Sequence, residues 1–402
     1  MQNFLSVDGA ATIRGLRRFT PMPNTPLSCQ VNLVYFVHDL NDPAVARRLA
    51  MLQPYLASAI VIGFHRTAPV PMALAGWPVM DLGRTADGKL GRRALSVLRH
   101  LLRPQPLRAA MRGATLVIAR QLEMLALAVT ARRRYAKSAA LVYECLDIHR
   151  MMLNLAVLRR VEAHLLRDVD RVIVSSPGFI DAYLKPVHGA ALPPVSLIEN
   201  KILRAELQDM QDLPARPEAP PWRIGWYGVL RCRRSLILLI DLTRRFPGRI
   251  IVELRGRPSR TAIPDFDTLL ADTPYVTFRG EYDRRTDLAQ MYKDVHFTWA
   301  IDFYEAGQNS AWLLPNRLYE GGAHGAVPIA DASVATGQWL ARYNAGVLLR
   351  EPIEARLHDY FATLNGLKYT LATAALAGVD ASRWIDDGQD AADFIAAIRG
   401  CN

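Results

Sequence analysis

Short apolar runs alternate with longer helical patterns along this chain, and that alternation restricts its fold more than any other feature. Val31–Val37 (VNLVYFV) is almost continuously apolar, which suits a strand buried on both faces. Residues 42–55 follow with Val45, Leu49 and Leu52 at helical spacing. Ala59–Gly63, Leu141–Tyr143, Arg171–Ser175 and Ser196–Ile198 read as further strands, with helical stretches such as Met151–Arg167 between them. Strands separated by helices imply βαβ units and a parallel sheet.

The pattern breaks once. Asp212–Trp222 (DLPARPEAPPW) holds four prolines and no periodic apolar residues, so it reads as a linker. The series then restarts with strands at Arg223–Tyr227, Arg249–Arg255, Tyr275–Arg279, His296–Ile301, Val327–Ala330 and Gly346–Leu349. Helices are expected at Ser235–Phe246 and Thr286–Lys293. The 402 residues exceed the ~250–300 that one core accommodates. Two α/β halves are therefore expected, 1–211 and 223–380, joined by the linker 212–222 and followed by a terminal segment 381–402. Half the residues are apolar and 22% are charged, enough to build cores and to argue against disorder.

Several function classes lose their support. No GxGxxG follows the first strand and no GxxxxGK[ST] occurs, which argues against dinucleotide and P-loop chemistry. Asp168 with Asp170, and Asp265 with Asp267, have the look of metal pairs but fit a helix end and a solvated surface better. Cys29, Cys145, Cys232 and Cys401 are isolated, which suits buried thiols in a reducing compartment. Met1–Asn24 has no apolar stretch resembling a signal peptide. The longest apolar segment, Met124–Ala131, falls far short of the ~20 residues that span a bilayer. A soluble or peripheral cytoplasmic protein is the expectation.

In doubly wound sheets ligands bind beyond the carboxyl ends of the strands. Two such loops stand out. Trp226–Ser235 (WYGVLRCRRS) ends a strand in glycine, adds three arginines and starts a helix, a pattern that suits a diphosphate or an ordinary basic turn. Leu314–Ala330 (LPNRLYEGGAHGAVPIA) places Glu320 in a short helix before a buried strand. A carboxylate there can accept from two vicinal hydroxyls, or it can pair inside the helix.

The order of these features, with Leu254-Arg255-Gly256 and Phe278-Arg279-Gly280-Glu281-Tyr282 between them, resembles the donor domain of glycosyltransferases with the GT-B fold. It is most similar to bacterial exopolysaccharide enzymes of the succinoglycan type. Residues 34–48 (VYFVHDLNDPAVARR), 143–149 (YECLDIH), 170–176 (DRVIVSS) and 198–201 (IENK) extend the resemblance over roughly residues 31 to 350. It implies two facing Rossmann-like domains with a cleft between them, and a terminal helix within Trp384–Ile398 returning to the first. It also implies sugar transfer from a nucleotide-diphosphate donor, with UDP-glucose expected and no metal or other cofactor. Glu320 would bind the ribose, and Arg231 or Arg234 would offset charge on the leaving diphosphate. Gly228, Asn316, Arg317, Tyr319 and Gly322 complete the expected donor site, with Gly321 and the helix start at Ser235 as sources of backbone donors. Many relatives carry a second Glu eight positions before the first, where this chain has Trp312; Asn309, Ser310 or Asn316 would then meet the sugar.

An inverting enzyme also needs a base for the acceptor hydroxyl. Asp39 and Asp147 each follow a strand on the ligand edge, next to His38 and near His149, so Asp39, Asp147 and His149 are the catalytic candidates. Asp39 could equally cap the next helix, and Glu144 reads as structural. A retaining enzyme would not need this base.

Charge is concentrated. Thirteen Lys/Arg and two acids lie between Arg84 and Lys137, so this window, 84–137, reads as a basic helical segment holding the whole net charge of +11. Leu95, Leu98, Leu101 and Leu102 recur at helical spacing with Arg92, Arg93, Arg99 and Arg103 among them. Such a stretch can lie on anionic lipid, or pack as an ordinary surface helix. Nucleic acid fits poorly, since stacking aromatics are almost absent from the window. The resemblance favours the membrane, because acceptors in exopolysaccharide assembly are polyprenyl-diphosphate-linked glycans at the inner membrane face. A nucleotide-sugar epimerase and a catalytically silent scaffold are the rival readings.

Overall fold

The computed structural model describes residues 30–66, 68–85, 90–148, 150–207 and 216–400, with only the backbone described for 90–95. His149, Cys29, Cys401 and residues 212–215 of the linker lie outside the described residues, as do the side chains of Arg92, Arg93 and Leu95.

Eight strands make the first sheet: β1 (Val31–Val37), β2 (Leu56–His65), β3 (Ala73–Leu74), β4 (Trp77–Arg84), β5 (Leu116–Arg120), β6 (Ala140–Glu144), β7 (Arg171–Val174) and β8 (Val195–Leu197). Their order is β3-β4-β2-β1-β5-β6-β7-β8. All neighbours are parallel except the β3–β4 hairpin. The apolar run of β1 follows from its central position. Val34 and Phe36 enter one core, while Leu33, Tyr35 and Val37 enter the core on the opposite face.

A two-residue strand, β9 (Ile202–Leu203), precedes the second sheet. That sheet comprises β10 (Trp222–Leu230), β11 (Ile250–Pro258), β12 (Val276–Phe278), β13 (Phe297–Trp299), β14 (Val327–Asp331) and β15 (Val347–Leu349). It is wholly parallel, in the order β12-β11-β10-β13-β14-β15. The strand order reverses between β1 and β5 in one sheet and between β10 and β13 in the other, and ligand crevices of such sheets form beyond those points. Finally β16 (Ile385–Asp386) pairs with β9.

The helices used below are α1 (Pro43–Leu52), α2 (Leu90–Leu102), α3 (Leu122–Tyr135), α4 (Ala156–Leu166), α5 (Arg233–Arg245), α6 (Asn309–Trp312), α7 (Asn316–Ala323) and α8 (Gln389–Arg399). The chain crosses from Trp384, in the second core, to α8. There Ala391, Phe394 and Ile395 pack with β1 in the first lobe. Burying Phe394 and Ile395 contributes about 1.5–3 kcal/mol each.

The basic window differs most from the sequence expectation. It is not one amphipathic stretch, because β5 interrupts it as a fully buried strand between β1 and β6. Helix α3 follows, burying Met124, Leu125, Leu127, Ala128, Val129 and Ala131. Several of the bases are already paired with carboxylates: Arg120 with buried Glu144 at 2.8 Å, exposed Arg133 with Asp168 at 2.6 Å and Arg132 with Asp170 at 3.3 Å. Arg99 and Arg103 are exposed, at the end of α2 and just beyond it.

Arg216 is one of the side chains that fasten the described part of the linker to the second lobe. Arg216 donates to the carbonyls of Tyr292, Lys293, His324 and Gly325 at 2.5–3.1 Å. Strand β10 begins one residue earlier than expected, because Trp222 pairs with Ile250 and is fully buried.

Candidate functional site

The loop after β10 is built around a sulfur. Cys232 precedes α5, and its Sγ accepts from Ser235 N at 3.4 Å and from Phe303 N at 3.3 Å. The Ser235 amide, expected to be available to a ligand, is thereby engaged, and the thiol ties α5 to the loop following β13. Arg231 pairs with Asp302 at 3.4 Å and lies over the Tyr304 ring. Arg234 pairs with Glu351 at 3.0 Å and lies 4.1 Å from the Phe303 ring centroid. Arg233 belongs elsewhere, since both its contacts go to Asp265. Gly228 has φ 105°, and a Cβ there would meet nothing within 4 Å, so a ligand can approach its backbone. The next strand comes close on the other side: a Cβ on Gly256, paired with Gly228, would run into the Gly228 carbonyl.

Helix α7 carries Glu320 inward, 3% exposed. Its Oε1 accepts from Arg284 Nε at 2.9 Å and its Oε2 from Tyr292 OH at 3.1 Å. Arg284 also contacts Glu206 Oε2 at 2.8 Å. Burial opposes the Arg284 charge, but Glu320 and Glu206 outweigh it and raise its pKa. Arg47, from α1 of the first lobe, faces the same group; burial and the Arg284 charge pull it down to about 10. Neither Arg284 nor Tyr292 was legible as a partner of Glu320, since the contacts span 36 and 28 residues.

Other expected donor residues have structural roles. Gly322 does not leave room for a ligand, because the Trp384 ring fills the space where its Cβ would be; Gly321 is filled likewise by Thr298. Tyr319 is fully buried against Trp339, with ring centroids 5.8 Å apart, and burial raises its hydroxyl well above its usual range. Asn316 is exposed at the start of α7, and Arg317 donates to the Ile301 carbonyl at 3.2 Å.

Trp312, the departure from the family pattern, packs with Leu313 against the first lobe's core. Asn309 is buried and accepts from Ile148 N at 3.2 Å, and Ser310 Oγ accepts from Glu305 N at 3.0 Å. Asn309 and Ser310 thus serve backbone contacts.

In the first lobe, Asp42 caps α1 through Ala44 N at 2.9 Å. The cap, the alternative to a catalytic role for Asp39, is supplied by Asp42. Asp39 accepts from Asn41 N at 3.1 Å and lies 3.6 Å from Arg66 Nε. Asp147 is exposed after β6. Glu144 is buried between Arg48 and Arg120, each at 2.8 Å, and hydrogen-bonded by Tyr35. Burial raises its pKa, yet the two arginines outweigh that and bring it to about 2. Asp168, Asp170, Asp265 and Asp267 are held in arginine pairs. Among the described residues, Asp241, Glu354 and His358 place three potential metal-ligand atoms within 4.8 Å of one another, in a group that includes a 3.0 Å His358–Asp241 contact.

No protein-family model matches the chain. It is 40% identical over 368 residues, 90% of this chain and 91% of the other, to succinoglycan biosynthesis protein ExoL of Rhizobium meliloti (strain 1021). Solved structures share its fold. Anabaena Alr3699/HepE, crystallised with UDP and glucose, superposes with TM-score 0.67 at 15% identity, covering 92% of this chain and all of that one. An E. coli trehalose-6-phosphate structure bound with UDP-2-fluoro glucose gives 0.66 at 12%, covering 92% and 99%. Sucrose-phosphate synthase of Thermosynechococcus elongatus gives 0.64 at 16%, covering 92% and 95%. The two facing Rossmann-like sheets make the GT-B fold, and with 40% identity along nine-tenths of its length the chain belongs to the family of succinoglycan biosynthesis protein ExoL.

Proposed function

We propose that the protein transfers glucose from UDP-glucose to a growing, lipid-linked polysaccharide repeat unit at the inner face of the plasma membrane. One arrangement supports this best: Arg231, Arg234 and the open backbone of Gly228 lie beyond the strand-order reversal, while Glu320 enters the same lobe on α7. The arginines would oppose the negative charge that grows on the departing diphosphate, and Glu320 would hold the ribose diol. Asp39 or Asp147 would take the acceptor proton. The reaction so described needs no metal. The uridine ligands crystallised with HepE and the E. coli protein support a uridine donor.

Docking would use α2. Leu98 and Leu102 are 49% and 72% exposed beside exposed Arg99 and Arg103, while Val97 anchors the helix inward. Among the described residues no helix is long and apolar enough to cross a membrane.

The deciding assay supplies UDP-glucose with and without a polyprenyl-diphosphate glycan and follows UDP release. Release that requires the acceptor and persists in EDTA is expected. Donor conversion without acceptor would point to an epimerase, and no turnover with any donor–acceptor pair to a scaffold.

A further inference from the structure

The loop that follows β13, termed the donor loop because its Asp302 and Phe303 contact Arg231 and Arg234, leads into a segment that crosses to the first lobe at three places. Asn309, 3% exposed, accepts from the Ile148 amide in the loop beyond β6. The Trp312 carbonyl accepts from Ser176 Oγ at 2.5 Å, beyond β7, and its backbone fills the space left by Gly178. The Leu314 carbonyl accepts from Asn200 Nδ2 at 3.1 Å, beyond β8. Strands β6, β7 and β8 are neighbours, so residues 309–314 grip three adjacent strand ends.

Both ends of this clasp adjoin proposed chemistry. Upstream, Asp302 and Phe303 contact Arg231 and Arg234. Across the cleft, Ile148 directly follows Asp147. We propose that Asn309 is a positioning residue, coupling the donor loop to the loop that carries Asp147, so that the acceptor carboxylate is set by the seating of the donor loop. This rests on the glycosyltransferase reading above. Asn309 offers one side-chain oxygen, and the Ile148 N–H it receives is buried; removing that oxygen leaves a buried donor unpaired and frees the loop.

Asn309→Ala and Asn309→Asp test this, because Asp keeps an acceptor oxygen in place. Hydrogen exchange at the Ile148 amide should quicken about tenfold in Asn309→Ala and return toward wild type in Asn309→Asp. The kcat for transfer should fall about tenfold or more in Asn309→Ala, with UDP affinity within about threefold of wild type and partial recovery in Asn309→Asp. Unchanged exchange would overturn the contact. Faster exchange with wild-type kcat, or UDP affinity falling in step with kcat, would overturn the positioning role. Absence of transfer in the wild type, with the exchange response intact, would instead bring down the functional reading and the positioning role with it.

Discussion

Arg284 Nε donates to Glu320 Oε1 at 2.9 Å while Tyr292 OH donates to Oε2, so each carboxylate oxygen already carries one hydrogen bond. Each keeps a further lone pair, enough for a diol. Glu320 is thus a pre-set acceptor held in one orientation by protein groups, and Arg47 brings a first-lobe charge to the same place.

Glu320→Ala should weaken UDP binding more than tenfold and lower stability by about 1–3 kcal/mol, since Arg284 loses a buried partner. Arg284→Ala should keep the carboxylate but release its orientation, giving a smaller loss of UDP affinity. Calorimetry with UDP and urea unfolding read both. Wild-type affinity in Glu320→Ala would remove the ribose role.

Most strands were legible because period and composition act locally. Buried strand β5 was missed, because LVIAR sits among arginines whose charge drew it into a helical reading. Arg120, at its end, is an interior cation paired 24 residues away with Glu144, a distance that no local pattern reveals. The loops at 231 and 320 were legible as positions, but their partners Asp302, Glu351 and Arg284 come from other strands' ends. Gly322 misled for a related reason: glycine in a helix signals close approach, and the approaching group is Trp384.

His296 should make the protein acid-sensitive. Burial pulls its pKa down to about 4, with Nδ1 accepting from Arg223 N and Nε2 bonded to the Pro217 carbonyl. A proton on Nδ1 would face an N–H. Unfolded histidine titrates near 6.5, so between about 6.5 and 4 the unfolded chain binds the extra proton. Stability therefore rises with pH across that window and is lost as pH falls, by at most about 3 kcal/mol from this residue. Urea unfolding at several pH values should show the slope, and His296→Phe should flatten it. An unaltered slope in the variant would assign it to other groups.

Gly178→Ala should loosen the two lobes. Its Cβ would lie 2.5 Å from the Trp312 carbonyl oxygen and 2.8 Å from Trp312 Cα, both backbone atoms that cannot turn aside. The overlap should cost about 1–3 kcal/mol and enlarge the particle in X-ray scattering. Gly378→Ala is the control, because its Cβ would have ordinary contacts from 3.4 Å. Equal scattering curves for both variants and wild type would show the interface tolerates the methyl.

Charge at the membrane should follow ion pairing and not composition. Arg99 and Arg103 are exposed with Leu98 and Leu102, whereas Arg133 is held by Asp168. A basic residue near anionic lipid contributes about 1 kcal/mol, so Arg99→Ala with Arg103→Ala should weaken binding to anionic vesicles about thirtyfold. Arg133→Ala should change it less than about threefold, because its charge is already offset by a carboxylate. Sedimentation with anionic and neutral vesicles at rising salt gives the comparison. Equal retention on both vesicle types would rule out α2 as an electrostatic dock, and equal losses in the two variants would return the effect to net charge alone.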